Sequence, residues 1–415
     1  MNSRKLLIVG TLVIASGWVG FWMGQRKLTF EFKNWRPAVV LNKSSVVRSG
    51  PEEVDFSLFW TVWDKVSAEY VDKSAVDGKK MVDGAISGMV SALGDPYTVY
   101  LPAQQNKESK EDLGGAFEGV GIQLGYKDNR LAIVAPLDGT PAHRAGVKAG
   151  DFILHIKDEK KRLDRSTDGL TLPEAVKMIR GEGGTTVELT LARAGQEDPF
   201  KVELTREIIV VKSVTVEYPD SGGGKIAWIK LNRFGDRTRE EWNAVVGELA
   251  DKEDIDGVVL DLRNNPGGYL EMSVYIAGEF LSPGKTVVGQ QYGDGTKTDT
   301  KVDRNGRLLK QRLAVLVNEG SASASEILAG ALQDHKRAKV VGVKSFGKGS
   351  VQQPDDFPDG SGVHITIAKW LRPSGEWIDK IGITPDEVVE WEPEGDAAVS
   401  DADDPQLKKA IELIL

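Results

Sequence analysis

The run Gly257-Val258-Val259-Leu260-Asp261-Leu262 constrains the fold of this chain more than any other stretch. It lacks the apolar–polar alternation of a strand with one wet face, so it reads as a strand buried on both faces. The surrounding sequence repeats a strand-then-helix rhythm. Residues 225–231 read as a strand, 237–249 as an amphipathic helix and 270–281 as another helix. Residues 313–317 then read as a strand, 323–334 as a helix and 339–343 as a strand. Alternation of this kind from about residue 208 to 393 predicts a layered α/β core.

The chain upstream is organised differently. Phe56, Phe59, Trp60, Trp63, Val66 and Tyr70, then Met81, Val82, Ala85, Ile86 and Met89, recur at helical spacing. A break near residues 72–78 makes this a pair of helices that ends at Gly94-Asp95-Pro96, with the aromatics packing helix on helix. Residues 113–206 read as one small module. Its strands are expected at 120–124, 131–134, 151–156, 185–193 and 200–206, with short helices at 141–145 and 171–179. Thr171 and Glu174 stand in capping-box spacing at the start of the second helix. Residues 394–404 are acidic and read as a linker. Residues 405–415 can form a helix with Leu407, Ile411, Ile414 and Leu415 on its apolar side.

The N-terminus sets the compartment. Arg4 and Lys5 precede an uncharged apolar run over residues 6–24, just long enough to span a bilayer as a helix. Trp18, Phe21 and Trp22 gather at its far end, where interfacial aromatics belong. The run reads as an uncleaved anchor. A cleaved signal peptide, cut after Ala15 and Gly17, is the alternative. Either reading exports the body of the protein. A net charge of −9 argues against nucleic acid as a partner. The absence of cysteine removes disulfides, thiol catalysis and cysteine-ligated zinc. His143, His155, His335 and His364 show no metal-ligand spacing, so no metal or other cofactor is expected.

Two segments carry chemistry. In Asn318-Glu319-Gly320-Ser321-Ala322-Ser323-Ala324-Ser325-Glu326 a serine falls where a strand runs into a helix. Ser323 and Glu326 fit a capping box, and an N-cap role coexists with an exposed hydroxyl at the turn. Spacing does not separate Ser321, Ser323 and Ser325. Downstream, Lys348 stands alone between Gly347 and Gly349, with Gln352 four residues on. A serine nucleophile needs a base. A lysine can serve only when neutral, so its ordinary pKa of about 10.4 must fall through burial. Lys348, Ser350 and Gln352 would share one strand face, and Gln352 could hold the amine without adding charge. The bland alternative for Lys348 is a solvated turn lysine. Gly342 to Lys348 imitates a P-loop, but Gly349 stands where the magnesium-binding hydroxyl belongs, which rules out that reading. Asp261-Leu262-Arg263-Asn264-Asn265-Pro266-Gly267-Gly268 follows the buried strand, and its glycines let backbone N–H groups converge on an anion.

These segments together resemble the C-terminal processing peptidases, also called tail-specific proteases. The resemblance covers about residues 54–392 and the terminal helix. It implies a serine endopeptidase that cleaves proteins near their C-termini, often in the bacterial periplasm, the chloroplast lumen or spores. It makes Ser323 the nucleophile and Lys348 with Gln352 its base pair. It gives the backbone of Gly267, Gly268 and Ala324 to the oxyanion. The module at 113–207 resembles a PDZ domain through Phe117-Glu118-Gly119-Val120-Gly121-Ile122, the Arg144–Leu154 run, Leu172–Val176 and Ile179-Arg180-Gly181. Gly119, Val120, Gly121 and Ile122 are then expected to receive a substrate's C-terminus. Arg180 is a candidate for signalling occupancy, set against a plain cation at a helix end.

The organisation expected is mixed α/β. A membrane anchor or signal segment (1–24) and a tether (25–51) lead to an N-terminal helical region (52–112). A PDZ domain (113–207) is inserted before a layered α/β protease core (208–393), and an acidic linker with a C-terminal helix (394–415) follows. Expected partners are protein or peptide substrates with free C-termini, an activating or adaptor protein, and the membrane, on the periplasmic side of the inner membrane. The alternative from another class is a catalytically silent PDZ-containing scaffold on the same fold.

Overall fold

The computed structural model describes residues 28–33, 36–41, 55–391 and 403–415, apart from 128–129, 138, 221, 251 and 253–254; for 28–33 and 36–41 it gives backbone pairing only. The expected anchor and most of the acidic linker lie outside the described residues. The chain divides into two compact units, Met1–Val82 and Asp83–Leu415.

In the first unit, β1 (Leu28–Lys33) and β2 (Arg36–Leu41) pair antiparallel within the stretch expected to be a tether. Helix α1 (Ser57–Glu69) has no buried residue. Its aromatics meet one another instead, Phe59 and Trp60 edge to face at 5.0 Å. Trp60 and Trp63 are half-buried. Helix α2 (Gly78–Ser91) runs across the division between the units.

The second unit begins its regular structure with β3 (Val99–Leu101), α3 (Ala103–Gly114) and β4 (Ala116–Gly119). Then come β5 (Ile122–Lys127), β6 (Arg130–Pro136), α4 (Pro141–Arg144), β7 (Phe152–Asp158), β8 (Leu163–Ser166), α5 (Leu172–Ile179), β9 (Thr186–Ala192) and β10 (Phe200–Thr205). Their sheet runs β10-β9-β7-β6-β5, with β8 beside β7. Ala175 and Ile179 of α5 share a core with Val120, Ile133, Ile153, Ile156, Leu189 and Leu191. The module is hung on a ribbon: β4 pairs antiparallel with β11 (Glu207–Val210), Gly119 opposite Glu207. Arg206, just before β11, is buried and donates to Asp158 at 2.7 Å and to the Ile179 carbonyl at the end of α5.

The main sheet joins β12 (Val214–Glu217), β13 (Ile226–Leu231), β14 (Gly257–Asp261), β17 (Arg312–Val317), β18 (Lys339–Gly342) and β21 (Glu387–Val388) in that order. From β13 onward every pairing is parallel. Helices α6 (Thr238–Ala250), α7 (Leu270–Phe280) and α8 (Ala324–Asp334) cover one face, packing on Val258 and Leu260. Helix α9 (Pro405–Ile414) covers the other, packing Leu407, Ala410, Ile411 and Ile414 on Trp228, Val259 and Leu316. So β14 is buried on both faces, as its composition requires. Leu415, expected with the apolar side of α9, is half exposed. A second, antiparallel sheet runs β16 (Lys297–Lys301), β15 (Thr286–Tyr292), β20 (Gly362–Leu371) and β19 (Ser350–Asp356), with β3 also pairing β20.

The Arg206–Asp158 pair generates the first prediction. Asp158→Ala leaves a guanidinium buried without its carboxylate, which should cost about 3–5 kcal/mol of this module's stability. Denaturant unfolding of the full-length chain, compared with wild type, measures it.

Candidate active site

The turn from β17 into α8 separates the three serines that spacing could not. Ser321 and Ser325 are fully buried. Ser321 Oγ donates to the Leu262 carbonyl at 2.8 Å and Ser325 Oγ to the Asn265 carbonyl at 2.9 Å. Ser323 is only partly buried and stands at the N-cap of α8 with φ 56° and ψ −114°. A non-glycine residue in such a conformation stores about 1–3 kcal/mol of strain, held by its surroundings. The two neighbouring hydroxyls, tied to the loop after β14, are part of what holds it. A sharp strand-to-helix turn of this kind lifts the serine hydroxyl clear of the sheet.

Glu326, one turn into α8, is completely buried. Its Oε2 accepts from the Ser323 N–H at 2.8 Å and from the Lys348 N–H at 2.9 Å. Its Oε1 accepts from Gly347 N–H at 2.7 Å and from Ser345 Oγ at 2.6 Å. One carboxylate thus joins the backbone of the serine to the backbone of the lysine. Burial pushes the Glu326 carboxyl up, against the pull of these four donors. The sequence showed Glu326 only as a helix cap; nothing in the spacing reveals its reach to residues 345–348.

Lys348 precedes β19 and is itself partly buried. Its carbonyl accepts from Trp370 Nε1 at 2.7 Å, while that of Gly349 accepts from Trp377 Nε1 at 2.8 Å. The amine stands 4.9 Å from the centre of the Tyr97 ring. Burial holds the Lys348 pKa below its ordinary value, although the Asp95 and Glu326 carboxylates push the other way. Among the described residues no hydrogen bond joins the Ser323 hydroxyl to the Lys348 amine. Ser350 and Gln352 do share a face, since Gln352 Nε2 donates to Ser350 Oγ at 2.9 Å, and Val351 between them turns to the core. Gln352 makes no hydrogen bond to Lys348; its second N–H goes to Thr366 Oγ1 at 3.0 Å.

The loop after β14 lies against this turn. A Cβ on Gly267 would meet Ser323 Cβ at 2.9 Å and Ala324 N at 3.0 Å, and φ is 98° there, so only glycine fits. Gly267 spends its N–H on Asn265 Oδ1 at 2.9 Å. Its carbonyl accepts from Phe234 N–H at 3.0 Å. Because a trans peptide points C=O and N–H in opposite directions, the Gly268 N–H faces away from Phe234. Gly268 and Ala324 N–H donate to no group among the described residues.

In the module of β5–β10 the Val120 side chain is buried in the core, so only its backbone can serve a ligand. The Val120 carbonyl accepts from Ala142 N–H at 3.0 Å and the Gly121 carbonyl from Leu137 N–H at 2.9 Å. The same peptide geometry turns the Gly121 and Ile122 N–H groups outward. Strand β5, which they open, is the edge of its sheet. Arg180 ends α5, and its guanidinium lies 4.1 Å from the centre of the Phe117 ring on the ribbon strand β4. Among the described residues no group of His, Cys, Asp and Glu side chains could hold a metal ion.

The family models that match are "Peptidase family S41" over residues 225–389, "Activating protease CtpB N-terminal domain" over 16–105 and "PDZ domain" over 133–193. The carboxy-terminal-processing protease of Bartonella bacilliformis is 38% identical over 338 residues, covering 80% of this chain and 74% of that protein. The chain belongs to the carboxy-terminal processing proteases. The family is one of serine peptidases that carry a PDZ domain. Carboxy-terminal processing protease CtpA of Bacillus subtilis is likewise 38% identical, over 323 residues, covering 78% of this chain and 66% of that protein. The chain therefore spans about two thirds to three quarters of these two relatives. A crystal structure described as a putative S41 protease from Bacteroides fragilis shares the fold. Its TM-score is 0.59 at 15% identity, over 88% of this chain and 99% of that one.

Glu326 yields the prediction for this site. Glu326→Gln replaces one acceptor oxygen by an NH2 that faces donors. Proteolysis should fall about a hundredfold or more, with a lower melting temperature, because buried donors are left unpaired. Parallel rate and thermal-unfolding measurements check both.

Proposed function

We propose that this protein is a serine endopeptidase that cleaves proteins near their C-termini through Ser323 and Lys348, with its PDZ module receiving the free C-terminus. The observation that carries the reading is the Glu326 carboxylate, which holds the backbones of a strained, partly buried serine and a desolvated lysine together. Neutral Lys348 takes the Ser323 proton as Oγ attacks the scissile carbonyl. The oxyanion is received by Ala324 N–H and, of the two glycines, by Gly268 N–H, since that of Gly267 is engaged. Lys348 then returns the proton to the leaving amine, and water releases the acyl group by the reverse path. Gln352 orients the amine.

A resting structure need not show the serine–lysine hydrogen bond, since catalytic contacts tighten when substrate is bound. Occupancy of the PDZ module supplies a route to tightening. A C-terminal carboxylate docks on the Gly121 and Ile122 N–H groups, and the peptide adds to the edge of β5. Ile122 and Leu124 favour apolar terminal residues. Arg180, stacked on the ribbon, relays the event. Substrates with free C-termini and an activating or adaptor protein are the partners. The N-terminal apolar run supports a location on the periplasmic side of the inner membrane, anchored, or free in the periplasm if it is cut.

Ser323→Ala and Lys348→Ala should each lower cleavage of an unfolded protein by at least about a thousandfold, and the double variant should be little worse, because the pair acts as a unit. Full turnover by Ser323→Ala would overturn the reading. Cleavage should also rise with pH through the Lys348 pKa, which burial holds below the usual lysine value: the base works only above its pKa, so activity is lost as pH falls. Amidating a substrate's C-terminus should slow its cleavage. Equal rates for free and amidated ends would reject carboxylate recognition.

A further inference from the structure

Gln352 can hold the Lys348 amine only through its carbonyl oxygen, because a neutral amine that must take a proton from serine has N–H groups to donate elsewhere. A glutamine amide turns over easily, exchanging its oxygen for its nitrogen. Something must set its sense. Both Gln352 N–H groups are spent, on Ser350 Oγ at 2.9 Å and on Thr366 Oγ1 at 3.0 Å. The direction of the second bond is supported from further out. Thr366 N–H donates to Thr98 Oγ1 at 3.0 Å, which itself donates to Asp95 Oδ2 at 2.7 Å, and the Thr366 hydroxyl beside that carboxylate helps to lower its pKa. An ionised carboxylate only accepts, which turns the Thr366 proton toward Asp95 and agrees with Thr366 Oγ1 accepting from Gln352 at 3.0 Å.

Asp95 is itself fixed. Its Oδ1 accepts from Tyr97 N–H at 3.0 Å and its Oδ2 from Thr98 Oγ1 at 2.7 Å. Thr98 Oγ1 in turn accepts from Thr366 N–H at 3.0 Å. Burial would push the Asp95 carboxyl up, but the hydrogen bonds from Thr366, Thr98 and Tyr97 outweigh it and keep the group ionised. The same turn places the Tyr97 ring against the Lys348 amine.

We propose that Asp95 is a positioning residue for the catalytic base: through Thr366 it fixes the Gln352 amide so that the oxygen is the atom left for the Lys348 amine. This rests on the Ser323–Lys348 reading. It assigns a task to the turn 95–98, which the sequence marks only as the end of a helix. It also makes Asp95 two-sided, since its negative charge favours protonated Lys348 while its hydrogen bonds orient the partner of neutral Lys348.

The charged and titratable groups around Lys348 are few. Asp95 and Tyr97 come from the turn, Glu326 from α8, His364 from β20, and Asp379 faces Tyr97 from the loop after Trp377. Burial, then the Lys348 charge, hold His364 below its ordinary pKa. Burial, with the Asp379, Glu326 and Asp95 charges, holds Tyr97 above its own. The His364 and Tyr97 titrations are thus pushed apart, downward and upward.

The test measures kcat, KM and the pH–rate profile of the full-length chain on an unfolded casein, for Thr366→Val, Thr366→Ser and Asp95→Asn, alone and with Gln352→Ala. Thr366→Val should lower kcat about tenfold at nearly constant KM, and Thr366→Ser should restore it to within about twofold. Asp95→Asn should lower the plateau by a similar factor while moving the rising limb to lower pH, the sign expected when a negative charge leaves the neighbourhood of a lysine. A loss of folding alone would lower the plateau and leave the limb in place. Neither loss should add to that of Gln352→Ala, because all three act through one amide. Wild-type kcat in Thr366→Val, an unmoved limb in Asp95→Asn, or additive losses would overturn the proposal. If Thr366→Val fails to fold, Asp95→Asn decides through its limb and its coupling to Gln352→Ala. Ser323→Ala, run alongside, separates the two readings. Activity there would remove the serine–lysine mechanism itself, whereas an inactive Ser323→Ala with fully active Thr366→Val and Asp95→Asn would remove only the role of Asp95.

Discussion

A single buried carboxylate organises this molecule's chemistry. Glu326 takes four hydrogen bonds with its two oxygens, two of them from the backbones that carry the proposed nucleophile and base. A buried carboxylate without partners would be costly by several kcal/mol. Here the cost is offset only while residues 323 and 345–348 stay in place. The requirement works in both directions: the donors need the carboxylate, and the carboxylate holds α8 and the segment before β19 in register.

Around that centre each loop is tied to a rigid element. Asn265 is fully buried and bonds the Leu231 carbonyl with one side-chain atom and Gly267 N–H with another. Its carbonyl accepts from Ala322 N–H and Ser325 Oγ, so the loop after β14 and the turn into α8 are one piece. Arg263 extends the same framework outward. It pairs with Asp261 at 2.6 Å and with Asp404, the N-cap of α9, at 2.8 Å. The helix that covers the far face of β14 is therefore keyed to the loop that lies against Ser323.

Much of this was legible in the sequence for simple reasons. The strand buried on both faces needed only composition, because Val258, Val259 and Leu260 leave no wet side. The helices of the PDZ module and of the core followed from periodicity and caps. What stayed hidden depended on contacts far apart along the chain. Helix α3 has one buried residue, Asn106, and so gave no apolar period to detect. The serines could not be told apart until Leu262 and Asn265 claimed two of them. Likewise the two glycines differ only in which N–H is engaged. The proposed roles of Ser323, Lys348 and Gln352 came from family resemblance, and the structure adds the surroundings in which those roles make chemical sense.

The ribbon of β4 and β11 has a consequence for how such a chain can be assembled. Gly119 and Glu207 face each other across it, so the segment that forms the PDZ module leaves and rejoins the rest of the chain at neighbouring points. Strand partners lie only about 5 Å apart, and a loop whose ends already meet adds almost no closure entropy to the remainder. The module is therefore modular in the literal sense. Its interior can lengthen, shorten or be exchanged for another small domain of similar end spacing, while the sheet built on β14 folds as before.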